Sequence, residues 1–299
     1  MDMLRIENLK KSFGDKEVLK GINLNVPEKS IFGFIGKNGA GKTTTMKTVL
    51  GLMKADEGEI YVAGEKVVFG QTSTNRYIGY LPDVPEYYSF MNPTEYLRFC
   101  GEITGLSKAE NAKRTDELLE LVGLKGEKHR IKGFSRGMKQ RLGIAQALLN
   151  KPKLLICDEP TSALDPVGRK EILDILLAAK NETTVLFSTH ILSDVERICT
   201  DIAFLNDGEV AIQGKLSEIK STYRTDEYFI ETESSSEITA LKTAFPLIEV
   251  TGHTMAKFKE NRHSIYDITK FIAEKKLPVL KIERLEPTLE SMFMEVVKK

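Results

Sequence analysis

Short apolar runs recur along the first two thirds of the chain, and stretches with helical spacing separate them. The runs lie at 31–35, 77–81, 154–157 and 184–188. Continuous apolar runs of this length are typical of strands buried on both faces. Because such strands alternate with helices, the pattern predicts an α/β fold with a largely parallel sheet. Residues 1–30 alternate apolar and polar positions instead, which predicts antiparallel strands at the N-terminus.

Between 92 and 150 the pattern predicts helices only. Two capping boxes mark helix starts, and a glycine follows the apolar spacing of each of these helices. The residues concerned are Asn92 with Glu95, Ser107 with Glu110, Gly105 and Gly123. We therefore expect a helical subdomain, at about 84–150, inserted into the α/β core.

After about residue 215 strand and helix patterns alternate again, ending in a predicted helix at 287–297. The tail therefore predicts a small α/β domain of its own. A chain of 299 residues exceeds the usual size of one domain, which fits a large domain with a smaller one appended. The expected boundaries are 1–220 for the large domain and 221–299 for the C-terminal accessory domain.

Composition and charge exclude several classes of protein. Hydrophobic residues make up 41% of the chain and charged residues 29%, which is typical of a globular protein. Lys and Arg number 43, as do Asp and Glu, so there is no net positive charge to attract nucleic acid. Three scattered cysteines predict neither disulfides nor a zinc site, and a reducing cytoplasm fits them. No apolar segment is long enough to span a membrane, so we expect any membrane role to require a partner.

A phosphate-binding loop is the clearest chemical motif. Residues 36–43 read Gly-Lys-Asn-Gly-Ala-Gly-Lys-Thr, follow a predicted strand and open a predicted helix. Glycines let the backbone N–H groups of such a loop turn toward the β- and γ-phosphates of a nucleotide. The residues expected to bind nucleotide here are Asn38, Gly39, Ala40, Gly41, Lys42, Thr43 and Thr44. A glycine-rich turn with a solvated lysine is the alternative, and the flanking strand and helix argue against it.

The loop side chains have different expected roles. Lys42 is expected to neutralise phosphate oxygens and so to serve catalysis as well as binding. Thr43 would place its hydroxyl on Mg²⁺, and Thr44 would reach the α-phosphate side. The motif thus predicts a site for ATP with Mg²⁺.

Two acidic residues end the apolar run at 154–157. Asp158 is the expected water-mediated Mg²⁺ ligand, and Glu159 is placed to act as a general base toward the attacking water. Two acidic residues after a strand more often only form a turn. Because the chain also has a phosphate loop, we favour a functional role for this pair. His190 follows the next strand and is expected to donate a hydrogen bond to the γ-phosphate, although a lone histidine there is usually structural.

A helix opens at residues 134–141, with Ser135 at its N-cap and Met138 and Leu142 on one apolar face. An ordinary capped helix is the alternative interpretation. The helix comes shortly before Asp158 in the sequence, and this position together with the phosphate loop favours a functional role.

These motifs together resemble an ABC ATPase over about residues 1–220. The motifs are the phosphate loop, Ser135-Arg136-Gly137, Asp158-Glu159, Ser162-Ala163-Leu164-Asp165 and His190. The resemblance implies that two ATPase domains pack head to tail, as a homodimer or with a paired subunit. It also implies that Ser135 and Gly137 of one domain bind the γ-phosphate held by the other. Separate transmembrane permease subunits and a peripheral location on the cytoplasmic face of the membrane follow from the same resemblance.

The resemblance assigns further residues. Phe13 matches the aromatic residue that stacks on adenine, and Val18 would line the same pocket. Asp165 matches the acid that crosses the dimer interface and helps to couple the two sites. Pro160 and Ala163 would set the shape of the turn.

Departures from the family pattern point to one branch of it. Asp83 stands where the family normally has a glutamine that contacts Mg²⁺ and the attacking water, and lantibiotic self-immunity exporters resemble this chain there. Asp83 is shorter and negatively charged, and it is expected to bind Mg²⁺ through water as part of the nucleotide site. Arg136 and Met138 replace a glycine and a glutamine of the family signature. Together with the tail at 284–293, these residues resemble the branch that exports antibiotics, bacitracin-like peptides and lantibiotics.

Two other classes of protein fit less well. A soluble ABC ATPase acting on ribosomes or DNA would have two cassettes with a basic linker, or a long coiled coil, and the sequence has neither. A phosphate-loop enzyme outside this family has no need of a Ser135-type signature. We therefore expect an ATP-hydrolysing subunit that drives export of a drug, peptide antibiotic or lipid-like compound.

Overall fold

The structure is a computed structural model that describes residues 2–71, 73–223, 226–285 and 288–297. Its contacts divide the chain into two units, one containing the described residues up to Ser217 together with 296–297 and the other comprising Glu218–Glu295. The domain boundary predicted from the sequence, after residue 220, lies three residues from this division.

A six-stranded sheet forms the centre of the first unit. In spatial order its strands are β10 (Glu209–Lys215), β9 (Asp201–Asn206), β3 (Ile31–Gly36), β8 (Thr184–Thr189), β7 (Leu154–Asp158) and β6 (Ile78–Leu81). All neighbours are parallel except β10, which pairs antiparallel with β9 at one edge. The four apolar runs form β3, β6, β7 and β8, which confirms the predicted α/β fold. Tyr77 does not belong to β6, because it ends a 3₁₀ helix at Ser73–Tyr77.

The N-terminal residues form a second sheet, which is antiparallel as predicted. Its order is β2 (Lys16–Pro27), β1 (Asp2–Phe13), β4 (Glu57–Val62) and β5 (Glu65–Lys66). Alternate residues of β1, among them Leu4 and Ile6, are buried against Phe32 of β3 and Met46 of the helix that follows. The apolar core therefore lies between the two sheets, and it fixes the segment from β3 into that helix.

Helices cover the central sheet. In the first unit they are α1 (Lys42–Val49), α2 (Pro93–Ile103), α3 (Lys108–Leu121), α4 (Arg136–Leu148), α5 (Pro166–Ala179) and α6 (Leu192–Ile198). The next helix, α7 (Leu216–Thr222), includes the division between the units. Both predicted capping boxes form, at Asn92 and Ser107. Gly105 and Gly123 follow the two helices with φ of 81° and 64°, a conformation that glycine adopts without steric cost.

The second unit is a small antiparallel sheet with helices. Its elements are β11 (Glu227–Thr232), α8 (Ser235–Ala244), β12 (Glu249–Val250), β13 (Met255–Lys259), α9 (Ile265–Lys275), β14 (Val279–Arg284) and α10 (Leu289–Val297). The strand order is β12-β13-β11-β14, and Ile230, Leu241 and Phe258 are buried in its core. The predicted start of the last helix, residue 287, lies outside the described residues.

Candidate nucleotide-binding and hydrolysis site

The carboxyl ends of β3, β6, β7 and β8 meet at one edge of the central sheet, because these strands are parallel neighbours or near neighbours. Each strand end is followed by residues of the predicted site. The phosphate loop follows β3, Asp83 follows β6, Asp158 and Glu159 end β7, and His190 follows β8. Ligands of open α/β sheets bind at this edge.

The phosphate loop needs glycine at two positions for different reasons. Gly39 and Gly41 have φ of 83° and 108°, which other residues rarely adopt. At Gly41 a Cβ atom would also lie 2.5 Å from Leu19 Cδ2, so the loop packs directly on β2. α1 begins immediately afterwards at Lys42, which directs the N-terminus of this helix toward the loop.

Lys42 is held inside the loop by three oxygen atoms. Its Nζ donates to the backbone oxygens of Gly36 at 2.6 Å and Lys37 at 3.2 Å, and it lies 3.1 Å from Glu159 Oε1. The side chains of Lys42 and Glu159 are only 6% and 12% exposed. A buried cation of this kind needs partners, so loss of either Lys42 or Glu159 would leave an uncompensated buried charge.

Glu159 occupies an unusual backbone conformation. Its φ is 48°, in the left-handed region that non-glycine residues avoid, and such strain often marks functional positions. The turn directs the carboxylate between two basic groups, because His190 Nδ1 lies 2.9 Å from Oε2 while Lys42 lies at Oε1. The structure therefore brings together the three residues predicted to be catalytic.

Asp158 lies beneath the loop, bonded on both sides. Thr43 Oγ1 donates to Oδ2 at 2.7 Å, and Ser188 Oγ donates to Oδ1 at 2.6 Å. The same Ser188 hydroxyl accepts the backbone N–H of Glu159 at 2.9 Å. Ser188 thus positions both acidic residues, although the sequence analysis did not select it. The only local signal was a small polar residue inside an otherwise apolar strand.

A cavity of about 330 Å³ opens above these residues. It is lined by Val18, Asn38, Gly39, Gly41, Lys42, Thr43, Thr44, Asp83, Glu159, Ser162 and His190. Most of the predicted site residues therefore surround one cavity, while Ala40 is not part of its lining. Ser162 belongs to a motif named in the sequence analysis, but no role in the site was assigned to it there. A larger cavity of about 720 Å³, between α3, α4 and β6, contains none of the predicted residues.

Asp83 faces the cavity and also contacts α4. Arg136 Nη2 lies 3.0 Å from its carboxylate Oδ1, and the buried Gln140 side chain donates to its backbone oxygen at 2.8 Å. Burial raises the pKa of Asp83, and Arg136 acts against this effect. The charges of Asp158 and Glu159 add to the increase in pKa. Asp83 is therefore the third carboxylate around the cavity and the only one of the three paired with an arginine.

Four predicted residues lie away from the cavity. Ser135 caps α4 by accepting the N–H of Met138 at 3.2 Å, and Asp165 caps α5 by accepting that of Gly168 at 2.8 Å. Gly137 lies in the first turn of α4, where a Cβ atom would meet nothing closer than 3.9 Å. Phe13 ends β1 with half of its surface exposed. These residues are accessible, but none of them lines the cavity at the phosphate loop of the same chain.

The oxygen atoms of Thr43 and Asp158 are the hard ligands that Mg²⁺ takes in proteins. Within the described ranges, no cluster of three His, Cys, Asp or Glu side chains is arranged to hold a metal by itself. Nor, in the part of the chain that the structure describes, is any helix long and apolar enough to cross a membrane. A glycine-rich loop before a helix, with a buried lysine and two acids at a strand end, defines a phosphate-loop nucleotide-binding protein.

Comparison with known proteins narrows this class. The ABC transporter family model matches residues 19–162, and that of the C-terminal domain of DrrA1-3-like ATP-binding proteins matches 214–297. The ABC transporter ATP-binding protein YxlF of Bacillus subtilis is 40% identical over 99% of both chains. The bacitracin transport ATP-binding protein BcrA of Bacillus licheniformis is 34% identical over 99% of this chain and 97% of its own. The linearmycin resistance ATP-binding protein LnrL of Bacillus subtilis is 33% identical over 98% of both chains.

Solved structures share the fold of the first unit. An ATP-binding subunit of an ABC transporter is 33% identical, with a TM-score of 0.66 over 74% of this chain and 93% of its own. A dimeric ATP-binding cassette with bound ADP and Pi is 28% identical, with a TM-score of 0.64 over 72% and 99% of the two chains. The chain belongs to the ATP-binding proteins of ABC transporters. It is the nucleotide-binding, ATP-hydrolysing subunit of such a system.

Proposed function

We propose that this chain powers export of a drug, peptide antibiotic or lipid-like compound through separate transmembrane permease subunits. The observation that carries the proposal is similarity along the whole chain to a bacitracin transport protein and a linearmycin resistance protein. The match to the DrrA-like C-terminal domain supports the same branch. We further propose that residues 1–220, with the helical subdomain at 84–150, form the ATPase domain and that 221–299 form an accessory domain.

The cavity lining supports ATP binding by the residues predicted from the sequence. The loop from Asn38 to Thr44 would hold the phosphates, with Lys42 as the principal cation. In the structure Lys42 pairs with Glu159, so an incoming phosphate and this carboxylate compete for one ammonium group. Nucleotide binding would therefore release Glu159 toward the attacking water. Phe13 and Val18 would contact the adenine.

Mg²⁺ fits the oxygen atoms at the inner end of the cavity. The Thr43 hydroxyl and the Asp158 carboxylate already lie 2.7 Å apart, and Asp83 faces the same space. Bound Mg²⁺ neutralises charge that develops on the β- and γ-phosphates. Thr43 would hold the ion directly and Asp158 through water, while Ser188 fixes the orientation of Asp158.

Hydrolysis requires a base and a group that stabilises charge at the γ-phosphate. Glu159 would accept the proton of the attacking water, since its carboxylate is aimed into the cavity. His190 Nδ1 lies 2.9 Å from Glu159 in the structure, and we propose that the imidazole exchanges this contact for a hydrogen bond donated to the γ-phosphate when nucleotide binds. ATP and water then yield ADP and inorganic phosphate.

The remaining predicted residues fit a site completed by a second chain. Ser135 and Gly137 lie at the N-terminus of α4, where backbone N–H groups favour an anion. We propose that two chains, or this chain and a paired subunit, pack head to tail so that this helix meets the partner's γ-phosphate. Asp165 would lie at the same interface. The assembly would be peripheral, on the cytoplasmic face of the membrane, through its permease.

Coexpression with a candidate permease, sought among the genes adjacent to this one, tests the proposal. We expect a susceptible bacterial host to tolerate bacitracin, a lantibiotic or linearmycin better with both proteins than with the permease alone. The Glu159→Gln variant, produced at the same level, is the matched control and should give no protection. Equal protection by the active chain and by this variant would contradict ATP-driven export.

A further inference from the structure

Two of the three residues that depart from the family pattern, Asp83 and Arg136, contact each other. Asp83 replaces the usual glutamine and Arg136 the usual signature glycine, and their side chains form an ion pair of 3.0 Å. Asp83 and Arg136 are 53 residues apart in the sequence and belong to different motifs, so the sequence did not predict this contact. The contact is therefore a property of the fold.

The backbone beside Asp83 is held in place without this ion pair. Gln140, fully buried in α4, donates to the Asp83 carbonyl at 2.8 Å, and the Tyr87 hydroxyl donates to the Lys139 carbonyl at 2.6 Å. Gly143 permits the close packing, since a Cβ atom there would lie 2.7 Å from the Tyr87 hydroxyl. Loss of Arg136 should therefore leave the segment attached to α4 and affect mainly the charge and direction of the Asp83 carboxylate.

The negative charge of Asp83 affects nucleotide binding because two other carboxylates lie nearby. Glu159 lines the same cavity, and Asp158 lies beneath it. Lys42 is the cation nearest to Glu159, and Arg136 is the cation paired with Asp83. A nucleotide triphosphate brings further negative charge, so an unpaired Asp83 would repel it.

We propose that Arg136 is a positioning residue for Asp83: it holds this carboxylate and offsets its charge, so that a chain with an acidic residue at position 83 still binds ATP. The proposal rests on the nucleotide site described above. It explains why both departures occur in one chain, because glutamine at position 83 would need no cationic partner.

A matched control exists in the same unit. Arg197 and Asp174 form an ion pair of 3.2 Å between α6 and α5, with side chains 42% and 50% exposed. The corresponding values for Arg136 and Asp83 are 42% and 46%. Arg136→Ala and Arg197→Ala therefore each remove a helix arginine from an ion pair of similar length and exposure, and only the first pair lies at the cavity. Both should leave the thermal midpoint of the full chain nearly unchanged.

The test is calorimetric titration of ATP into the full chain, in EDTA and in MgCl₂, at low ionic strength. Arg136→Ala should weaken binding of Mg²⁺-free ATP about fivefold and of MgATP less, because MgATP carries less negative charge. Arg197→Ala should change neither affinity, and Arg136→Lys should retain most of the affinity by retaining the charge. In the Asp83→Gln background, Arg136→Ala should have almost no effect.

Two results would overturn the proposal. Equal weakening by Arg136→Ala in both backgrounds would mean that Arg136 acts on the nucleotide without Asp83. Unchanged affinity for both forms of ATP in Arg136→Ala would mean that the pair has no role in binding. Failure of the unaltered chain to bind either form would instead reject the nucleotide site itself, which distinguishes the two failures.

Discussion

The phosphate-loop edge of the central sheet and the exposed start of α4 are the two regions for which we propose phosphate binding, and they differ in how their polar groups are satisfied. At the loop, Lys42, Glu159 and Asp158 are buried and bonded to one another or to neighbouring chain segments. At α4, Ser135 and Gly137 are accessible, and Ser135 accepts the N–H of Met138 in its own helix. The polar groups at the loop edge are thus satisfied within one chain, whereas the exposed start of α4 has the character of a half-site that a second chain would use.

The largest effect is expected at the loop edge. Glu159→Gln keeps the shape of the side chain and removes its basicity, so kcat for ATP hydrolysis should fall about 1000-fold. ATP binding should persist, and the variant should accumulate as an ATP-bound dimer in light scattering during size-exclusion chromatography. A variant that stays monomeric at saturating MgATP would contradict the two-chain site.

Removal of Lys42 tests whether Lys42 and Glu159 form a buried ion pair whose charges balance each other. Lys42→Ala leaves the Glu159 carboxylate buried without its cation, so the free energy of unfolding of the nucleotide-free chain should fall by about 3 kcal/mol. Adding Glu159→Gln removes the unpaired charge and should recover part of that loss. Urea unfolding measures both values, and strictly additive losses would argue against a buried pair.

A charge placed at the start of α4 tests the half-site. Gly137→Asp fits without a clash and is favourable for a helix N-terminus, so stability should be unchanged or slightly higher. Repulsion of the partner's phosphate should nevertheless lower ATPase activity about 100-fold, with ATP binding to the single chain unaffected. Ala109→Asp is the matched control, since Ala109 is the exposed second residue of α3, and its activity should stay normal.

Asp83 contacts both regions, because it lines the cavity and pairs with Arg136 of α4. We expect its substitution to have the smallest effect among these variants. Asp83→Gln restores the usual family residue and removes one negative charge, so ATP binding should change by less than about threefold. The ATPase activity of the complex with its permease should change more than ATP binding does. Parallel changes in both measurements would contradict a role for Asp83 in coupling.

The sequence predicted elements whose signals are local. The capping boxes at Asn92 and Ser107, the apolar strands and the glycine turns of the phosphate loop all depend on residues a few positions apart. The strand β9, beginning at Asp201, was missed because the polar residues at its two ends interrupt the apolar pattern.

The missed parts of the site depend on long-range packing. Ser188 bonds Asp158 and Glu159 only because β7 and β8 are neighbours in the sheet. The left-handed backbone of Glu159 reflects the turn after β7, for which the residue type gives no signal. The ion pair between Arg136 and Asp83 requires α4 to pack against the end of β6. Such features follow from topology rather than from spacing along the chain.

Mixing two inactive chains tests the shared site most directly. One chain carries Lys42→Ala with Glu159→Gln, so that its loop is inactive and its α4 intact, and the other carries Gly137→Asp, with the opposite defect. In a head-to-tail dimer the mixture has one intact composite site, and ATPase activity should recover to about a quarter of that of the unaltered chain. Activity that stays at the level of either variant alone would contradict a site shared between two chains.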